Sequence, residues 1–190
     1  MHNLLTGIAT ATLVFSGLAA AGLAIARFLI PDPPNIYRTS IYDITLPKGW
    51  TCKFEGTELV CTPYGPPPYR AILIAAMKYR DPNIDTLDAY TAHLEKPATQ
   101  KRPDGTTITS TVEQVRRTLI DGRTWVDGIH LNSEVRGYQT RYLCALTVQV
   151  AILITFSSYK DDFENYQPIF ERMVRSINIY QRFNGAADSF

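Results

Sequence analysis

The most defined chemistry in this chain belongs to two cysteines. Cys52 and Cys61 flank the segment Lys53-Phe54-Glu55-Gly56-Thr57-Glu58-Leu59-Val60. A two-residue loop at Gly56-Thr57 fits a type II′ turn, with glycine at its first central position. That register sets Glu55 opposite Glu58, and Cys52 opposite Cys61. Cross-strand Cβ atoms lie about 4.5–5.5 Å apart, near the separation that a disulfide accepts. One reading is a disulfide, a bond that persists in oxidising compartments. The other is two free thiols, each behaving as a small hydrophobe. Cys144 lies in an apolar stretch and is expected to be a buried core thiol.

Other reactive residue types are scattered. Ser157-Ser158-Tyr159-Lys160 has the SxxK spacing of some acyl-enzymes but lacks their companion motifs. Asp127, His130 and Glu134 are close in sequence, yet strand alternation sends Asp127 and His130 to opposite faces. His2, His93 and His130 are far apart, with no paired carboxylates at metal-ligand spacing. No phosphate loop, dinucleotide fingerprint, HExxH or CxxC occurs. The expectation is a protein without catalytic residues, cofactor or metal. With 19 Lys and Arg against 18 Asp and Glu, the chain has no clustered basic face for nucleic acid. The better functional hint is aromatic. Trp50, Tyr64 and Tyr69, together with the Pro-rich stretch Pro63–Pro68, form the candidate interface. The competing role for Trp50 is to cap the core.

These residues need elements to hold them. Ile41–Leu46 alternates and predicts a strand; Pro47-Lys48-Gly49 predicts a turn before the cysteine hairpin. Ala71–Met77 is almost continuously apolar, which predicts a central strand buried on both faces. Asp85 or Thr86 caps a first helix, with Leu87, Tyr90 and Leu94 on its buried stripe and Pro97 beyond its end. Lys101–Thr107 reads as an exposed loop. Thr109–Ile120 and Arg123–Ser133 pair across the Asp121-Gly122 turn, with Gly128 a candidate bulge. Tyr138–Thr147 and Val148–Phe156 form an apolar pair in mid-sheet. A second helix carries Phe163, Tyr166, Ile169, Phe170, Met173, Val174 and Ile177 on one stripe. Pro168 belongs in a first turn, so this helix is expected to begin near Asn165–Gln167. The tail from Phe183 is expected to be loose or docked on a partner. The fold class expected is α+β: one antiparallel sheet sandwiched by two helices, preceded by an N-terminal transmembrane helix.

That anchor is read from Leu4–Ala26, about 23 residues without a charged side chain. As a helix it would reach about 34 Å, enough to cross a hydrocarbon core of about 30 Å. The run exceeds a signal peptide's apolar region, so an uncleaved anchor is expected; Ala24-Ile25-Ala26 is the competing cleavage site. Gly7 and Ala11, Gly17 and Ala21, and Gly22 and Ala26 repeat small residues at four-residue spacing, a pattern that lets membrane helices pack closely. The organisation read from sequence is an anchor over 1–30, a Pro-rich linker over 31–38 and one domain over 39–190. Arg27 and Arg38 favour a cytoplasmic domain by charge; Cys52 and Cys61 favour the periplasm, and the periplasm is the expectation.

Several phrases carry a family resemblance: YDITLPKGW at Tyr42–Trp50, LIDGRTW at Leu119–Trp125, TRYLCALTVQVAILITFS at Thr140–Ser157 and FENYQPIFERMVRSI at Phe163–Ile177. In these the chain resembles the PsbP-like family, the extrinsic oxygen-evolving proteins of photosystem II and their bacterial relatives. The resemblance implies a compact, non-enzymatic accessory domain docked on a membrane complex; it transfers no binding residue. The function expected is a single-pass, membrane-anchored structural subunit whose partners are the lipid bilayer and other subunits of a complex, photosynthetic by resemblance. The alternative is a membrane-anchored module that binds a ligand or lipid.

Overall fold

A computed structural model describes residues 35–101 and 105–180. The expected anchor with its small-residue faces (Gly7, Ala11, Gly17, Ala21, Gly22 and Ala26), the first half of the linker and the tail from Phe183 lie outside these residues.

Seven antiparallel strands make the main sheet, in the order β3-β4-β5-β11-β10-β9-β8. They are β3 (Trp50–Glu55), β4 (Glu58–Pro63), β5 (Ala71–Tyr79), β8 (Thr111–Ile120), β9 (Arg123–Leu131), β10 (Tyr138–Leu146) and β11 (Val150–Tyr159). A second sheet joins β1 (Asn35–Arg38), β2 (Tyr42–Leu46) and β12 (Asn178–Ile179), and a ribbon pairs β6 (Thr99–Lys101) with β7 (Thr107–Thr109). Among the described residues the α-helices are α1 (Leu87–Leu94) and α2 (Phe163–Arg175).

The expected fold class is corrected here. Strands account for 53% of the described residues, so the domain is mostly β rather than a balanced α+β sandwich. The two helices do not cover the sheet evenly. On one face, α2 and the small sheet bury the main core: Leu59, Leu73, Ile152, Ile154 and Phe156 from the strands, against Ile44, Phe163, Phe170 and Met173. On the other face, α1 covers only the β8–β10 end, packing Leu94 with Val126, Tyr142 and Cys144. Among the described residues no helix is long and apolar enough to cross a membrane.

Local deviations have local causes. β5 is buried on one face at Ala71, Leu73 and Ala75, but Ile72, Ile74 and Ala76 are only half-buried, since α1 stops short of them. The stretch expected as a loop, Lys101–Thr107, joins the two strands of the short β6–β7 ribbon, which enter it only at Lys101 and Thr107. Helix α2 begins at Phe163, earlier than expected, and Pro168 falls in its second turn. Burial draws Phe163 into the helix: its ring packs 6.3 Å from Phe156, which stacks on Phe170 at 4.6 Å.

Gly128 is not the bulge. The register shift lies on the partner strand, between Val112 and Gln114. Gly128 instead lets α1 approach: a Cβ there would stand 3.0 Å from Leu94 Cδ1 and 3.3 Å from Leu94 Cβ. Gly128→Ala is therefore expected to lift the end of α1 and cost about 1–3 kcal/mol by overpacking. A urea titration of the variant against the native chain measures it.

Candidate functional site

The cysteine hairpin closes as its turn predicts. Glu55 faces Glu58, and Cys52 and Cys61 are joined by a disulfide with their Cα atoms 4.1 Å apart. Gly56 takes a φ of +62°, the left-handed region that favours glycine. Disulfides of this kind belong to oxidising compartments. Cys144 is buried among Val126, Tyr142 and Leu94, and burial pushes its thiol up to about 12. It is inert at neutral pH.

Alternation along β9 separates Asp127 from His130, as expected. Asp127 points under α2 and is fully buried. Arg141 reaches it with Nε at 2.8 Å and Nη2 at 3.0 Å, and gives Nη1 to Glu171 at 2.6 Å and Gln167 at 2.7 Å. The guanidinium also lies 5.5 Å from the Phe170 ring centre. Burial opposes the charge on Arg141, but Asp127 and Glu171 outweigh it and hold its pKa above the usual value. Arg116 adds a bond to Asp127 at 3.3 Å. The bonding capacity of the group is spent on joining β9 and β10 to α2, so it acts as a clamp. Sequence reasoning passed over Arg141, although a lone arginine inside the apolar run Tyr138–Leu146 was its signal.

His130 points the other way and ties the end of α1 to the sheet. Its Nε2 lies 2.8 Å from the Leu94 carbonyl and its Nδ1 3.3 Å from Ser110 Oγ, which accepts the Ala98 N–H at 2.8 Å. The neutral tautomer with its proton on Nε2 satisfies every partner: it donates to Leu94 and accepts the Ser110 hydroxyl. Glu134 is also on this side, taking the Tyr142 hydroxyl at 2.5 Å. Burial lowers the His130 pKa below its usual value. An unfolded histidine titrates near pH 6.5. Below that, the unfolded chain takes up a proton that the folded chain resists, so stability falls with falling pH. The urea midpoint is expected to drop between about pH 7 and 5.5, and His130→Asn is expected to remove that part of the slope.

The SxxK spacing brings nothing together. Ser157 is buried with its hydroxyl 3.0 Å from that of Thr140, whereas Lys160 is exposed in a 3₁₀ turn. Among the described residues no group of three or more His, Cys, Asp or Glu could hold a metal.

The proposed aromatic interface divides. Trp50 is corrected: it is 4% exposed and belongs to the core, because β3 turns it inward beside Cys52. Tyr64 is 72% exposed. Tyr69 is half-buried, and its carbonyl accepts the Tyr138 hydroxyl at 2.5 Å.

What sequence reasoning missed is an apolar strip on the α1 side of the sheet, beyond the reach of α1. Val60 stands directly opposite Ile74, and Ala76 opposite Leu153. Ile72 continues the row, and Leu153 is 37% exposed. Lys53 and Glu55, an exposed ion pair at 2.6 Å, border it on β3. At the other end Lys78 meets Asp85 at 2.8 Å, and Asp85 also accepts the Tyr90 hydroxyl at 2.6 Å. Those two bonds hold the Asp85 pKa down at about 2, so this border stays charged. An apolar centre with a charged border is the usual anatomy of a protein–protein contact.

The fold is similar to a known architecture. The solution structure of a cyanobacterial PsbP, CyanoP from Synechocystis sp. PCC 6803, aligns with a TM-score of 0.54 and 10% identity, over 80% of this chain and 95% of that one. The fold is PsbP-like. The PsbP-like fold has further neighbours here. The Ran-binding protein Mog1p of Saccharomyces cerevisiae aligns at a TM-score of 0.49 and 12% identity, over 77% of this chain and 96% of its own. LpqN, involved in cell envelope biogenesis of Mycobacterium tuberculosis, aligns at 0.47 and 14%, over 78% and 86%. No protein-family model matches the sequence, and no curated protein does.

Proposed function

We propose that this chain is a non-enzymatic accessory module, held at a membrane by its uncharged N-terminal run, whose domain works in an oxidising space outside the cytoplasm. The observation that carries the reading is the strip Val60, Ile72, Ile74, Ala76 and Leu153. The polar groups singled out from the sequence are spent on holding the domain together, whereas this apolar row has no covering helix among the described residues. A second subunit that lays an apolar surface on it would bury the row and meet the charged border. The disulfide supports the compartment. The run Leu4–Ala26 supports the tether. Because the PsbP-like fold is shared with a cyanobacterial PsbP, a photosynthetic membrane complex is the first to test.

Ile74→Lys with Leu153→Lys tests the strip. Both side chains lie on the half-open face, so the urea midpoint is expected to stay within about 0.5 kcal/mol of the native chain. Association with partner subunits, read as the fraction that comigrates, is expected to fall at least tenfold. Unchanged comigration would remove the strip from the account.

A further inference from the structure

The main sheet has a second feature, at the end opposite the Pro-rich loop. A cleft of 430 Å³ opens between the β10–β11 turn and the C-terminal strand β12. Leu146, Val148 and Ile179 give it apolar walls, and Arg123 supplies its one cation among the described residues. We propose that this cleft binds a small organic monocarboxylate with an apolar body, its carboxylate on the Arg123 guanidinium and its body against Val148 and Ile179.

Three observations point there. First, Arg123 is half-buried, yet its guanidinium meets no acceptor among the described residues. Asp121, the nearest acid in sequence, faces Arg175 at 3.6 Å instead. Loss of water without a compensating partner is costly for a charged group, and burial accordingly pulls the Arg123 pKa below its usual value. Second, no acidic side chain among the described residues lines the cleft. Tyr180, which does line it, gives its hydroxyl to Asp43 at 3.2 Å, so the arginine is the group left for a ligand. A guanidinium presents a planar fork that matches a carboxylate in two parallel bonds. Third, the wall is preorganised. Thr147 Oγ1 accepts the backbone N–H groups of Gln149 and Val150 at 3.2 and 2.9 Å. Arg80, just past the end of β5, grips the same turn: its N–H meets the Gln149 carbonyl at 2.8 Å and its Nη1 the Thr147 carbonyl at 3.1 Å. Val148 is thus held out at 90% exposure on a turn fixed at both ends, which lowers the entropy cost of binding. The volume falls at the lower end of small-molecule sites, about 300–1,000 Å³, which favours a short acid.

Hexanoate is the probe, with hexanol and hexylamine as partners of like shape. The full chain, isotope-labelled in detergent-free lipid nanodiscs, is titrated at pH 7 and amide shifts are followed for Thr147–Val150 and Ile179. Saturable hexanoate shifts confined to these residues are expected, with no response to hexylamine. Arg123→Met keeps the stem and removes the charge, and is expected to weaken hexanoate at least tenfold while leaving hexanol unchanged. Val148→Glu, at a position too exposed to disturb folding, is expected to weaken hexanoate comparably by repulsion. Absence of hexanoate shifts in the native chain, equal binding by Arg123→Met, or equal binding by Val148→Glu would each overturn the proposal. None of these outcomes depends on the apolar strip, so the accessory reading stands or falls separately.

Discussion

Arg141→Met is expected to cost about 3–5 kcal/mol of folding stability, because it removes one partner of a buried ion pair and strands the other. Asp127 is fully buried and would keep only Arg116, itself half-exposed, at 3.3 Å. The loss also takes the bonds to Glu171 and Gln167 and the packing over Phe170, so α2 loses its polar anchor to β9 and β10. Against a total stability of about 5–15 kcal/mol for an ordinary domain, such a change removes a large share. Pairing it with Asp127→Leu replaces both charges by apolar groups. The double variant is expected to recover most of the loss, since a buried pair often contributes little net of its desolvation. Urea unfolding of the native chain and the three variants measures the cycle. A single Arg141→Met that costs under about 1 kcal/mol would mean that the clamp is not formed in solution.

Loss of the Cys52–Cys61 bridge is the second large effect. Its nine-residue separation gives about 2.6 kcal/mol in the chain-entropy picture. Cys52→Ala with Cys61→Ala is the suitable variant, because Cys61 is fully buried and a serine there would bring an unpaired hydroxyl into the core. The bridge lies between the edge strand β3 and β4, so amide exchange is expected to rise first in Trp50–Glu55. Reductant is expected to lower the native midpoint by a similar amount and leave the double variant unmoved. Equal midpoints for the native chain with and without reductant would contradict the disulfide. Cys144 is expected to resist alkylation until the domain unfolds.

Local rules carried far in this sequence where one interaction dominated. The Gly56-Thr57 turn fixes the hairpin register, and that register alone brings Cys52 to Cys61. Alternation along β9 separates Asp127 from His130 because strand period leaves no choice. The stripe Leu87, Tyr90 and Leu94 marks α1, and Thr86 caps it with its hydroxyl 3.1 Å from the Ala89 N–H. Where distant elements decide, sequence reasoning fell short. The run Ala71–Met77 is apolar on both sides, but its burial depends on how far α1 extends, which no residue in β5 encodes. Gly128 looked like a bulge; its cause is Leu94, 34 residues earlier in the chain and in contact only after folding. Trp50 was open between an interface and a core cap, because nothing in its own strand encodes the second sheet whose core receives it. The balance of strand to helix was misjudged because short strands such as β1, β12 and the β6–β7 ribbon have weak periodicity of their own. The strip and the Arg123 cleft share that cause: each is bounded by elements distant in sequence.

The proposed role requires this domain to complete a larger membrane assembly through its half-open sheet face. Extraction of native membranes with a mild detergent, followed by size separation and quantitation of every comigrating chain, tests it most directly. The account predicts that the chain runs well above its own 21.4 kDa mass, with partner subunits in fixed stoichiometry. It also predicts that Ile74→Lys with Leu153→Lys releases it from them. A monodisperse, free monomer recovered from the native source would contradict the account.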